Sequence, residues 1–558
     1  MPVKQALSVL ETILPAKIVK FVESQVSLHS AKGKHGRRYN DETKSFALSL
    51  YHLSGKSYKM VSKLFCLPSK SSILKWISKM PNCTGFTQPS MDVNAAKVKT
   101  MSSIAKMCVV SMDETSLKSH LFYECSKDKV IGLEDFGDET TSNKLATSAI
   151  VLMPRGIMEN WKQPIAYYFV NESCSSNTVK EKVTDAISKL EKIGLNVLGV
   201  VSDIGSNFHK FVHEMGITPA NLGSPTIFYI FDTPHIIKAI RNNLISYNFH
   251  VEDKVASWKD IEALYKIDSN NAIRCCPKLT SKHMYPNGFL KMKAKLATQV
   301  LSHSVAAALM MAVSGGLLPA SAAGTAEMVS KFDEIFYCLS SSTFNTPKEL
   351  NKPMTASSKH EQIMEEMLQY VKKVKVVNPA NNKEVTTRLK CLNALQITLR
   401  STIQMWQTIQ GSVTFLCTRR LNQDPSENFF GSIRQQGGNC DNFPEFKKLF
   451  FNQYLLPMGT GNCAADLDSI LLTNKAIETT KPKQQDSSNI APLVFTNLKE
   501  DEYKSPTIEE NLRSKNAITY VGGYLLKKCL EKHKCQTCCS ALFNDELNSS
   551  HQLLCYCQ

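Results

Sequence analysis

Acidic residues are scarce in the first part of this chain. Residues 1–90 hold 4 Asp/Glu against 14 Lys/Arg, a net +10 of the +16 carried by all 558 residues. Such an imbalance excludes a neutral N-terminal block and points to a polyanion, nucleic acid before a membrane surface. An uninterrupted apolar run is also missing from the start, MPVKQALSVLETILPAKIVKF, where Glu11 and Lys17 intervene. A secretion signal is therefore not expected. The 18 cysteines lack the short, regular framework of a secreted disulfide scaffold. Free thiols in a reducing compartment are the expectation. No internal repeat is visible. Charged residues are only 21% of the chain and hydrophobic ones 43%. That balance excludes disorder, collagen and coiled coil, and leaves roughly three to five folding units of about 100–200 residues. One stretch, Ser304–Met328, is nearly free of charge. Gly315-Gly316 and Pro319 would split a membrane helix there, so a buried pair of short helices is expected, and no membrane partner.

What is present falls into blocks. Residues 1–35 read as an N-terminal helical segment and 36–90 as a DNA-binding domain whose residues 36–80 make three short helices. Asn40 can cap the first, DETKSFALSLYHLS; Gly55 breaks it; SYKMVSKLF makes the second. CLPSK is a turn and SSILKWISKM the third helix. Helix, turn and basic helix form a helix-turn-helix pattern, with Lys70, Ser71, Ser72 and Lys75 near the start of the recognition helix as candidate contacts to double-stranded DNA. From about residue 105 strands take over: MCVVSMD, a hairpin in HLFYECSKDKVIGLEDFG, then ATSAIVLMP and PIAYYFV. The amphipathic helix TVKEKVTDAISKLEKIG and the strand LNVLGVVSD complete a mixed α/β sheet. Residues 245–415 are mostly helical. TTKPKQQDSSNIAP (479–492) is the clearest linker, and a Cys-rich segment follows it.

Asp113 closes VVSMD and Asp203 closes VLGVVSD. Carboxylates at adjacent strand ends can share hard cations such as magnesium, and phosphodiester cleavage uses two of them. Strand ends also favour Asp simply for turns. Glu427 lies in RRLNQDPSENFFGSIR, where Asp424 as N-cap, Pro425 at N1 and Glu427 at N3 make a complete helix-start signature. The same helix could pack Phe429, Phe430 and Ile433 on a sheet and aim Glu427 at the strand ends. Spacing alone does not choose. In DTPHIIKAIRNN, Asp232, His235, Lys238 and Arg241 recur at helical spacing; a helix start with solvated charges stands beside DNA-backbone contact or support of the sheet, and His235 reads as a hydrogen-bonded structural residue.

SMDETSLKSHLFYE, VVSDIGSNFHKF, FYIFDTPHIIKAIRNNL and LNQDPSENFFGSIRQQGG, in this order, resemble the P-element transposase family and its THAP-type relatives. The resemblance implies an α/β, RNase H-like catalytic domain interrupted by a mostly helical, GTP-binding insertion and preceded by the helix-turn-helix domain. The parts would be 105–244 and 416–478 for the RNase H-like domain, 245–415 for the insertion and 493–558 for a C-terminal domain. It implies a DDE triad of Asp113, Asp203 and Glu427 that is both catalytic and metal-binding, holding two Mg2+ for DNA cleavage and strand transfer. Nuclear action on DNA ends, by a homo-oligomer, is the corresponding expectation. The alternative is a catalytically silent, domesticated DNA-binding regulator.

Four departures from the family pattern qualify these expectations. Residues 1–35 contain no Cys, so the zinc-coordinating THAP module is not expected there. Tyr337 and Ser340 stand where the family carries an Asp and an Asn to read the guanine edge. Lys278 and Lys293 remain for nucleotide phosphates, so weak binding without GTP preference is expected. The connections at 221–228 and 437–450 look shortened. Cys535, Cys538, Cys555 and Cys557 supply four thiolates for a zinc site of unusual spacing.

Overall fold

Helix-forming segments with short polar breaks make up the basic N-terminal block. The computed structural model describes residues 3–437, apart from 31–32, 34–36, 79–82, 118–121, 125–128, 138–140, 223–226 and 272. Helices α1 (Val3–Ile13) and α2 (Ala16–His29) precede α3 (Asp41–Leu53), α4 (Gly55–Leu64) and α5 (Lys70–Ser78). Asn40 caps α3 by accepting the Thr43 N–H at 2.8 Å. The break after α3 is Ser54, which accepts the Ser57 N–H, and Gly55 is already the first residue of α4. Ala47, Tyr58, Leu67 and Ile73 form the buried core of α3–α5. Tyr58 donates its hydroxyl to Pro68 O at 2.5 Å, tying α4 to the turn before α5. Helix α2 shares this unit. Gln25 accepts the Cys66 N–H at 2.7 Å, and the Phe21 ring contacts Phe46 and Phe65.

The sequence pattern gives no sign of α6 (Gln88–Val98), whose apolar residues keep no clear period. Strands β1 (Met107–Ser116), β2 (Phe122–Glu124), β3 (Lys129–Ile131), β4 (Leu133–Asp135), β5 (Thr141–Leu145), β6 (Ser148–Gly156) and β7 (Ala166–Val170) follow. The expected hairpin is the separate ribbon β2–β3. Helix α7 (Ser176–Lys192) buries Val179, Val183, Ala186 and Leu190, the apolar stripe read from its spacing. Next come β8 (Asn196–Ser202), α8 (Ser206–Glu214), β9 (Phe228–Phe231) and α9 (Thr233–Ser246). The main sheet has seven strands in the order β5-β4-β7-β6-β1-β8-β9. Strands β7, β6 and β1 form an antiparallel meander, and β8 and β9 continue it parallel to β1. This is the RNase H-like arrangement. Strand β1 does not end at Asp113. Its long antiparallel partner carries the ladder on to Ser116 opposite Ser148, so Asp113 lies inside the strand.

An inserted region separates α9 from the helix that returns to the sheet. It comprises β10 (Asn248–Val251), β11 (Lys254–Ala256), α10 (Trp258–Ser269), α11 (Ser281–Met284), α12 (Gly288–Lys291) and α13 (Ala294–Val300). It continues with α14 (His303–Ser314), α15 (Ala322–Cys338), α16 (His360–Lys373), β12 (Lys375–Val377) and α17 (Lys390–Ile409). The three-stranded sheet β11-β10-β12 is an addition to what the sequence suggested was mostly helical. Ala294–Ser314 has the length and mean hydropathy, 1.5, of a membrane span. Leu301 nevertheless leaves the helical region at ψ 68 and divides it into α13 and α14, and α14 buries Val305, Ala306, Ala308, Leu309 and Ala312. Helix α17 lies against β9, where Thr398 Oγ1 accepts the Phe231 N–H at 2.9 Å. Helix α18 (Asp424–Gly437) then closes on the main sheet. Residues 438–558, with most of the second shortened connection, the linker and the four tail cysteines, lie outside the described residues. So do residues 223–226 of the first shortened connection.

Candidate active site and nucleic-acid interface

Strands β1 and β8 run parallel with Ser111 opposite Val201. Continuing this register sets Asp113 beside Asp203, the residue after β8. Asp203 Oδ1 accepts the Gly205 N–H at 2.8 Å, which fixes its carboxylate in the turn before α8. Asp113 Oδ1 accepts the Glu114 N–H at 2.9 Å. Burial first, and the Asp203 charge second, push the Asp113 carboxyl up to about 8. Two carboxylates thus meet side by side on the sheet, with the His235 ring as the positive group coupled to both.

Glu427 arrives on α18, which is seated by apolar and polar contacts together. Phe429, Phe430 and Ile433 pack with Val151, Met153, Tyr167 and Phe169 of the β6–β7 face. Burying each such side chain stabilises the contact by about 1.5–3 kcal/mol. Ser426 and Ser111 share a buried hydroxyl bond at 2.9 Å, and the Gln423 amide donates to Met112 O. The Gln423 N–H donates to Asp232 Oδ1 at 2.9 Å. The helix start is thereby fastened to β1 immediately before Asp113, and to the end of β9.

The capping reading of Asp424 is corrected by this geometry. Asp424 is the first residue of α18, while the Ser426 and Glu427 N–H groups reach back to Gln423 O. Gln423 therefore occupies the cap position, held there by Asp232. Asp424 instead pairs with Arg419 Nε at 3.0 Å. Glu427 is displaced from the position a capping box needs. Its half-exposed carboxylate stands 4.0 Å from His235 Nδ1.

Asp232 is the buried pivot, only 1% exposed. It caps α9 through the His235 N–H at 3.0 Å and accepts the His235 Nδ1–H at 2.6 Å. Burial disfavours its charge, but the hydrogen bond and charge of His235, together with the Gln423 and His235 N–H bonds, outweigh burial and hold its pKa down. Burial likewise opposes the charged His235 ring, and Asp232 outweighs it, leaving that pKa raised. Electrostatic coupling links His235 to Asp113, Asp203 and Glu427. The sequence left this segment open between a helix start with solvated charges and DNA-backbone contact or support of the sheet; burial of Asp232 and its bonds to His235 and Gln423 rule out a solvated charge there. Sequence reasoning missed Glu114, the acid that follows Asp113 in the same run. Ser148 donates to Glu114 Oε1 at 2.6 Å, and burial raises the Glu114 pKa despite that bond, with the Asp203 charge adding to the rise.

Among the described residues no three His, Cys, Asp or Glu side chains stand in a metal-ligating arrangement. The acids gather at one end of the sheet without closing on a common point. Their chemistry still fits a divalent cation. Asp113, Asp203, Asp232 and Glu427 face His235 and Lys238 as the cationic groups coupled to them, a surplus of hard oxygen donors.

In the helix-turn-helix unit, Lys70, Ser71 and Lys75 are exposed and Ser72 half-buried, on a helix anchored by fully buried Ile73. Ser69 Oγ accepts the Ser72 N–H at 3.2 Å and bonds the Ser71 and Ser72 hydroxyls at 2.8 and 2.9 Å. The two serines thus take part in the helix cap. In the insertion, Lys278 and Lys293 are exposed, preceding α11 and α13. Lys348 Nζ sits 3.8 Å from the centre of the Tyr337 ring, and Asp333 nearby is buried. A cavity of about 670 Å³ lies between α14, α15 and the β10–β11 turn. None of Lys278, Lys293, Tyr337 or Ser340 lines it.

Three family models match the chain in succession. The Transposable element P transposase-like HTH domain covers residues 6–76, the TNP-like RNase H N-terminal domain 83–216, and the TNP-like GTP-binding insertion domain 234–353. The chain is 22% identical to Transposable element P transposase of Drosophila melanogaster over 545 residues, which are 95% of this chain and 69% of that protein. It is 30% identical to DNA transposase THAP9 of Homo sapiens over 302 residues, 50% of this chain and 32% of that protein. A solved structure, the Drosophila P element transposase strand transfer complex, superposes with a TM-score of 0.68 at 22% identity, covering 84% of this chain and 99% of that one.

Proposed function

The chain belongs to the P-element transposase family, and from that premise we propose that it is a DNA transposase that cleaves and joins DNA strands with divalent metal. The observation that carries this reading is the meeting of Asp113 and Asp203 on neighbouring parallel strands, with Glu427 delivered by α18. Asp113 and Asp203 would hold the divalent cations, magnesium being the fitting class, with Glu427 as a further oxygen ligand. Bound divalent cations activate the attacking and leaving oxygens of a phosphodiester. The protein's own part is positioning. Asp232 fixes His235 and, through Gln423, the start of α18, so that Glu427 faces the two aspartates. The α3–α5 unit grips duplex phosphates through Lys70 and Lys75 and brings DNA to the sheet end. Hydrolysis of one strand frees a 3′ hydroxyl, which then attacks a target phosphodiester. The setting is the nucleus, and two DNA ends call for at least two chains.

Incubation of the whole chain with generic supercoiled plasmid tests the reading without knowledge of any terminal repeat. Nicked circles should accumulate with Mg2+ or Mn2+ and not with chelator. Equal nicking with and without chelator would overturn it.

A further inference from the structure

The insertion carries a second surface whose chemistry the triad does not use. Between Asp268 and Glu327 the sequence has no acidic residue and six Lys/Arg. In the middle of this stretch, on and around α11 and α12, large apolar side chains face solvent: Tyr285 is 63% exposed, Phe289 83% and Met292 72%. Lys282 and Lys291 are exposed among them. Rings this open would normally be buried, and the interleaved lysines do not suit an apolar protein partner. The segment is also firmly held. Arg241, fully buried in α9, donates Nη2 to Lys291 O at 3.0 Å, and Asn242 Nδ2 donates to the same carbonyl at 3.3 Å. Arg241 lies six residues beyond His235, about 9 Å along the helix axis. The same helix therefore supports the acid cluster at one end and the aromatic surface towards the other.

We infer that Tyr285 and Phe289, with Lys282 and Lys291, form a platform for an unpaired DNA strand. Duplex DNA would satisfy the lysines alone, because its base faces are stacked and hidden. Only unpaired bases offer the flat π-faces that exposed rings bind, while ammonium groups follow the phosphates. The inference rests on the DNA-cleaving reading for its purpose, since strand cleavage releases ends that can fray.

Binding is measured by fluorescence anisotropy with a short single strand of mixed sequence and with the matching duplex, at equal salt. The full chain carries Asp203→Ala throughout, so no strand is cut during titration and loss of catalysis cannot imitate loss of binding. Each of Tyr285→Ala and Phe289→Ala should weaken the single strand by about tenfold and leave the duplex unchanged. Phe289→Trp should restore binding, showing that the ring and not the fold is read. Lys282→Gln with Lys291→Gln should make the salt slope shallower by about 1.4. Unchanged single-strand affinity in the double alanine variant overturns the inference. So does an equal loss on duplex, or displacement of the strand by free ATP or GTP as completely as by unlabelled DNA. Nicking by the unsubstituted chain is scored separately, so either reading can fail without the other.

Discussion

Removing the Asp232 carboxylate should loosen two helices that are far apart in sequence. Asp232→Ala strips the acceptor from the His235 N–H, the His235 ring and the Gln423 N–H. Loss of a cap costs about 0.5–2 kcal/mol, and each donor left buried and unpaired about 1–3 kcal/mol. Allowing for overlap, about 3–5 kcal/mol of local stability should vanish. A chain of several units has no single unfolding free energy, so the loss is best read locally. Hydrogen exchange resolved by mass spectrometry should show peptides from 232–246 and 423–437 exchanging faster by at least about a hundredfold. Peptides from α16 should not change. Asp232→Asn, which keeps an acceptor of the same size but loses the charge that favours charged His235, should fall between. If Asp232→Ala leaves exchange in 423–437 as it is in the unaltered chain, the bridge through Gln423 is not what holds α18, and the placement of Glu427 needs another explanation.

Two other perturbations probe the remaining surfaces. Deleting residues 1–90, with their net +10, should remove most duplex affinity and its steep salt dependence; a truncated chain that binds as tightly at matched salt would clear the helix-turn-helix of that role. Calorimetric titration should find weak nucleotide binding that barely separates GTP from ATP, and a gain in GTP preference in Tyr337→Asp, Ser340→Asn; tight, GTP-selective binding by the unaltered chain would show that other residues read the base.

Local sequence carried the parts of this architecture that depend on near neighbours. The stripe of α7, the cap at Asn40 and the position of Asp203 at a strand end all follow from periodicity or from contacts within a turn. What escaped depends on distant partners. The end of β1 is set by how far β6 runs alongside it, which VVSMD alone does not encode. Asp424 fits a cap by every local rule, yet Asp232 claims the Gln423 N–H from 191 residues away and moves the helix start by one position. Ser111 and Ser426, 315 residues apart, leave no local trace of their bond. The exposure of the Tyr285 and Phe289 rings is likewise set by the fold around them and not by their residue type.

The most direct measurement compares four proteins on supercoiled plasmid: the unaltered chain, Asp113→Asn, Asp203→Asn and Glu427→Gln. These near-isosteric changes remove a charge each and keep the packing around it. With Mn2+ present, the unaltered chain should nick the plasmid. Each variant should be slower by more than about a hundredfold while binding duplex DNA as tightly as before. Nicking by Asp203→Asn at the rate of the unaltered chain would contradict the account.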